Sequence, residues 1–422
     1  MTADDSGVDG DRLRDDIEAN AEFGAIEAGD GHGRTALTGT EPNRLARDRL
    51  VDALEDAGLD VRFDAVGTVL GIWTPSSADP DAPPVVAGSH LDSVPQGGIF
   101  DGPLGVYGAL EAVRTLQERG VEPDRPIGVV SFTEEEGTRF GGGMLGSAVT
   151  TGVIDPETAL AYTDDDGVTL EDALADVDYR GEDTIDASGW EAFLELHVEQ
   201  DGRLESAGIP VGIVRAITGI AQATARFEGE ANHAGATAMD ARHDALAAAS
   251  TFVLAVEEAG RAVASEGENT AVATVGSVGV EPNATNVVPG TVDLGIDVRD
   301  VERDAMERIF GHLETATDRI ETDRGIETAL ERTLDVDPAP TSERCREAIA
   351  IAASAAGIET TSLHSGAAHD AMHLSRVTDA GMLFVPSVDG ISHSPREWTD
   401  WADCEAGVAV LAGAIEALAS DD

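Results

Sequence analysis

The chain has 422 residues, more than one ordinary core accommodates, so two domains are expected. It carries 81 acidic residues against 27 basic ones, a formal charge of −54. Such a field repels nucleic-acid phosphates and anionic membranes, which argues against both as partners, and no apolar run approaches the ~18 residues of a membrane span.

Every basic residue is arginine; the sequence contains no lysine. The acids are spread along the whole chain instead of forming one tail, so they read as the surface of a folded protein. Concentrated salt screens the self-repulsion of such a surface, which points to a halophilic cytoplasm. The N-terminal MTADDSGVDGDRLRDD lacks the basic-then-apolar pattern of a secretory signal, in keeping with a cytoplasmic location. Cys345 and Cys404, the only cysteines, are not spaced as a metal or redox pair and read as reduced thiols.

In chain order, residues 11–75 open with a helix, then EPNRLARDRLVDALEDAGLD with apolar residues at helical spacing, then VRFDAVGTVLGIW alternating like one strand. PPVVAGSH is a short buried strand that runs into GSHLDSVPQGGIFDGPLGV, residues 88–106, where His90, Asp92 and Asp101 stand among glycines. PLGVYGALEAVRTLQERG reads as a helix ended by Gly120, and PIGVVSFTEEEG as another buried strand whose end carries acids. Strands and helices alternating in this way, with polar clusters at strand ends, describe an open α/β sheet. From residue 209 the order becomes β-α-β-β-α-β, the ferredoxin-like split unit. An α+β domain over residues 209–330 is therefore expected as an insertion into an α/β domain made of 1–208 and 331–422.

The polar clusters form a candidate metal set. His90, Asp101, a glutamate of SFTEEEG (131–137), His197 of LELHVEQ (194–200) and His393 of GISHSPR (390–396) give five N/O ligands without sulfur. That set suits two borderline divalent ions sharing a carboxylate, zinc first, with manganese or cobalt as alternatives. Asp92 is placed to accept the other N–H of His90. Glu136 and Glu199 read as supporting or solvated acids, His369 as a hydrogen-bonding residue behind the site and His373 as a surface residue.

The motifs GSHLDSV…GGIFDGPLGV, TEEEGTRFGGGMLGS, LHVEQ, NHAGATAMDARHDAL, NVVPG, DVR, SGAAHDA and SHSPREWT follow in one order. Together they resemble the hydantoinase/carbamoylase group of dinuclear zinc amidohydrolases, over residues 20 to 418. The resemblance implies a metal-binding catalytic domain of zinc-aminopeptidase type, with the inserted ferredoxin-like domain as lid and dimerisation domain of a homodimer. It makes Asp101 the bridging ligand, with His90, Glu135, His197 and His393 completing the pair, and Glu134 the general base. It also implies substrate groups at Gln200, His233, Asn286 and Arg299, His233 facing the oxyanion and Arg299 a substrate carboxylate. The implied substrate is a small ureido or amide carboxylate, foremost an N-carbamoyl-L-amino acid. Allantoate and N-acyl amino acids are the alternatives within the enzyme class, and a non-catalytic binding protein of the same fold is the alternative outside it. Asp201, Ala238, Ala368 and Thr68 depart from the group's usual pattern, and none of them removes a ligand.

Overall fold

VVAGSH, IGVVSF, AFLELHV and DAGMLFV form four neighbouring parallel strands in the computed structural model, which describes residues 7–29 and 31–420. Their spatial order is Ile127–Phe132, Val85–His90, Ala192–Val198 and Asp379–Val385. Nearly every residue in them is buried, because helices and loops cover both faces, and this explains the continuous apolar runs. Antiparallel strands extend the sheet: Val69–Trp73 and Asp60–Phe63 on one side, Val211–Ile217 on the other.

The expected single strand at 61–73 is thus a hairpin. Asp64 Oδ1 accepts the backbone N–H groups of Val66 (3.0 Å) and Thr68 (2.8 Å), a side-chain turn that breaks the strand where alternation alone continues it. Helices Gly10–Ala21, Pro103–Glu118, Glu343–Ala356 and Trp401–Ala419 pack as a layer against the parallel strands. Among the described residues no helix is long and apolar enough to cross a membrane. The first six residues of the N-terminal stretch lie outside the described residues.

The chain divides into two compact units, residues 1–215 with 340–422, and residues 216–339. The smaller unit has four antiparallel strands in the order Val272–Glu281, Thr291–Asp300, Gly219–Glu228, Glu327–Val336. Helices Ala245–Glu266 and Arg303–Arg324 cover one face. Alternation along Gly219–Glu228 sends Ala221, Ala223, Ala225 and Phe227 into that core and leaves Gln222, Thr224, Arg226 and Glu228 exposed. This is the ferredoxin-like order.

Its limits differ from 209–330 at both ends. VGIVRAI is a strand of the large sheet, and Glu327–Val336 is one ladder that continues to Val336↔Ile220. Composition does not change at either point, so only strand pairing reveals the boundary.

Candidate metal centre

Val85–His90 pairs with Ala192–Val198, and the chain runs on from the first to Ile127–Phe132 on one side but from the second to the parallel strand Asp379–Val385 on the other. That is a topological switch point, where an open α/β sheet has a crevice at its carboxyl ends. His90 is the last residue of the first strand, the three glutamates follow the second, and His197 is the penultimate residue of the third. Asp101 arrives on the loop before the helix Pro103–Glu118. Gly102 adopts φ 84°, and a Cβ there would lie 2.6 Å from the His90 ring and carbonyl. The glycine-crowded stretch is what lets Asp101 approach His90 so closely.

Two groups of three residues share Asp101. Its Oδ1 is 3.1 Å from His197 Nε2 and 3.6 Å from His90 Nε2, forming a buried inner group. Its Oδ2 is 3.2 Å from His393 Nε2, which is 3.4 Å from Glu136 Oε2, forming an outer group in which His393 is half exposed. His90 Nδ1 donates to the Asp92 carbonyl (3.1 Å) and His197 Nδ1 to the Val198 carbonyl (3.0 Å). Both rings therefore turn an Nε2 lone pair inward, the tautomer a metal ligand needs.

Burial pushes the Glu136 carboxyl up to about 7, with Asp101 adding to it, and pushes Glu135 well above the usual carboxylate range. A crowd of buried carboxylates and imidazoles with that charge balance fits cations. All donors are N or O, so the residues fit two divalent ions of zinc type sharing Asp101.

Within TEEEG the structure departs from the expected roles. Glu134 has φ 55°, and its Oε1 accepts the backbone N–H groups of Arg139 (2.7 Å) and Phe140 (2.8 Å). With that oxygen it closes the loop on its own backbone, whereas Glu135 is the carboxylate that stands beside His90. Glu136, read as a supporting acid, supplies the outer group's carboxylate, while Glu135 Oε2 stands 3.6 Å from His90 Nε2 and joins neither triplet. The left-handed turn at residue 134 shifts the pair by one position. Three consecutive glutamates allow either register, and the backbone turn selects between them.

Asp92 also differs from expectation. Its carbonyl, not its carboxylate, takes the His90 N–H; the carboxylate accepts the amides of Glu135 (3.3 Å) and Glu136 (3.2 Å) and holds their turn in place.

Gln200, expected to meet substrate, has φ 60° and donates from Nε2 to Asp101 Oδ2 (3.1 Å). Ser392 Oγ lies 2.9 Å from the same oxygen and 2.7 Å from Glu397 Oε2. Neither Ser392 nor Glu397 stood out in the sequence beyond its place in SHSPREWT. His369 packs edge-on against the His197 ring with centroids 4.6 Å apart and bonds through Nε2 to Ser365 Oγ (2.9 Å). Burial drives its pKa well down, and it stands in neither ligand group. His373 is buried, not on the surface, and burial lowers its pKa to about 4.

In the smaller unit, Asn232–His233 pairs with Val287–Val288, and the amide of Ala234 donates to the Asn286 carbonyl (2.9 Å), which brings His233 and Asn286 together. His233 is exposed, and its Nδ1 accepts the amides of Gly235 (3.0 Å) and Ala236 (3.1 Å). The ring proton therefore sits on Nε2, making that atom a donor. Arg299 lies on Thr291–Asp300 and donates to Asp297 from Nε (2.9 Å) and Nη2 (3.3 Å).

Two candidate N/O ligand groups sharing one carboxylate at the switch point of an α/β sheet are an arrangement suited to metal-assisted hydrolysis. The chain belongs to peptidase family M20/M25/M40, whose family model matches residues 86–417. It is 38% identical over 419 residues to an N-carbamoyl-L-amino acid amidohydrolase of Geobacillus stearothermophilus, covering 98% of this chain and all of that one. It is 34% identical over 410 residues to an allantoate amidohydrolase of Bacillus subtilis, covering 96% of this chain and 97% of that one. The crystal structure of an amidase of the hydantoinase/carbamoylase family from Burkholderia multivorans superposes with a TM-score of 0.91 at 37% identity, covering 98% of both chains.

Proposed function

We propose that the protein hydrolyses the carbamoyl C–N bond of an N-carbamoyl-L-amino acid, giving the amino acid, ammonia and CO₂. The observation that carries this is the pair of ligand groups on either side of Asp101 with Glu135 beside them and in neither. The 38% identity to an N-carbamoyl-L-amino acid amidohydrolase over the full chain supports the substrate class. Zinc ions bound by His90, His197 and Asp101, and by Asp101, Glu136 and His393, would supply the Lewis acidity that makes hydroxide available at neutral pH.

Glu135 takes the proton of the attacking water and returns it to the leaving nitrogen. His233 donates its Nε2–H to the oxyanion, its tautomer already set by two backbone amides. Arg299, its fork fixed by Asp297, receives the substrate carboxylate. In this reading the smaller unit is the lid and the dimerisation surface. Val272 and Val278, both more than half exposed, lie on its edge strand Val272–Glu281, and Leu254 is 66% exposed on the helix Ala245–Glu266. Such apolar exposure on a chain this acidic supports a homodimer through that surface. A cytoplasmic, salt-rich setting accounts for the charge.

Ammonia release from N-carbamoyl-L-amino acids, allantoate and N-acyl amino acids tests the proposal. Preferential turnover of N-carbamoyl-L-amino acids is expected; turnover of allantoate alone, or of N-acyl substrates alone, overturns it.

A further inference from the structure

Glu397 is fully buried, yet every hydrogen bond of its carboxylate goes to a loop that carries a ligand. Oε1 accepts the amides of Phe100 (2.9 Å) and Asp101 (3.0 Å), 296 residues away from Glu397 in sequence. Oε2 accepts Ser392 Oγ (2.7 Å), the residue before His393, and that hydroxyl also reaches Asp101 Oδ2. The space is made for this carboxylate: a Cβ on Gly98 would lie 2.1 Å from Glu397 Oε1. His393 is itself in a left-handed conformation (φ 52°), which an external tie must hold.

We propose that Glu397 is a positioning residue that ties the Asp101 loop to the His393 loop and so sets the spacing of the outer ligand group. The inference rests on the reading of Asp101 and His393 as ligands. Their loops share no strand here; beside the direct contacts of Ser392 and His393 with Asp101, the Glu397 carboxylate spans them by bonding the backbone of one and the serine of the other. A carboxylate serves because it offers two oxygens, one for the amides of the first loop and one for the hydroxyl of the second. Glutamine keeps that frame. Its amide oxygen accepts the two backbone N–H groups, and its NH₂ donates to Ser392 Oγ, leaving the serine proton for Asp101. Alanine removes the frame altogether.

The test measures zinc affinity of the full-length protein by competition with a chromophoric chelator, alongside circular dichroism, for the unmutated chain, Glu397→Ala, Glu397→Gln and Ser392→Ala. The unmutated protein is expected to hold two ions. Glu397→Ala should weaken one of them ~10–100-fold, the range for loss of a group that orients a ligand. Glu397→Gln should stay close to the unmutated value, and Ser392→Ala should show a smaller loss in the same ion. Unchanged affinity in Glu397→Ala, or equal weakening in Glu397→Gln, overturns the inference. If Glu397→Ala does not fold, the other two variants decide, and unchanged affinity in Ser392→Ala overturns it. An unmutated protein that binds no ion at all contradicts the metal reading itself, a result distinct from failure of the tie.

Discussion

In the larger unit, His90 and His197 are buried at the ends of parallel strands and Asp101 on the loop before the helix Pro103–Glu118, and each ring nitrogen not aimed at the site is bonded to a backbone carbonyl. In the smaller unit, His233 is exposed and Arg299 half-buried; two nearby backbone amides hold the first, and Asp297 is among the partners of the second. On the proposed function, the contrast matches two different tasks. Ions need donors fixed to a few tenths of an ångström, which burial and a rigid sheet provide. Groups that meet a substrate must stay accessible, so their preorganisation comes from nearby backbone. The outer ligand group stands between these extremes, with His393 half exposed on a left-handed residue.

The sharpest way to break this comparison is within TEEEG. Glu135→Gln should lower kcat by about 10²–10⁴-fold while metal content stays intact, because the amide cannot take a proton. Glu134→Gln should keep near-normal turnover, since its amide oxygen still accepts the amides of Arg139 and Phe140. Exchange of these two phenotypes would return the base to position 134.

His233→Ala should cost about 10²–10³-fold in kcat, the usual effect of losing one oxyanion donor, with metal content and melting temperature unchanged. A loss of metal in that variant would place His233 in the buried class instead. Arg299→Ala should lower kcat/KM for free-acid substrates far more than for their amides. A slight fall in stability with normal kinetics would reduce Arg299 to an ion pair with Asp297, worth about 0–1 kcal/mol when exposed. The smallest effect concerns the whole surface: the melting temperature should rise from dilute buffer to molar KCl as self-repulsion is screened. A flat or falling temperature would remove the halophilic reading.

Much of the larger unit was legible in the sequence, because buried parallel strands leave continuous apolar runs and their polar ends stand out against them. His90, Asp101, His197 and His393 were found in this way, and the structure brings all four together. The glutamate register was not legible, because identical neighbours carry no signal about which one a turn at Glu134 withdraws. Asp92 was placed beside the correct histidine but with its carboxylate in the role that its backbone carbonyl fills, a distinction made by backbone geometry alone. Glu397 and Ser392 escaped notice since their partners lie nearly the whole chain away. The hairpin at Asp64 and the true ends of the smaller unit were hidden for a related reason. Each depends on a turn or a strand pairing that leaves hydrophobic alternation unchanged.

Metal analysis combined with anomalous diffraction of the purified protein decides whether Asp101 is shared by two ions. Two divalent ions per chain are expected, one on each side of Asp101, the outer one on Glu136 and His393 leaving first under a chelator, with activity lost as they leave. An enzyme that is fully active after complete chelation, or that holds a single ion away from Asp101, would contradict it.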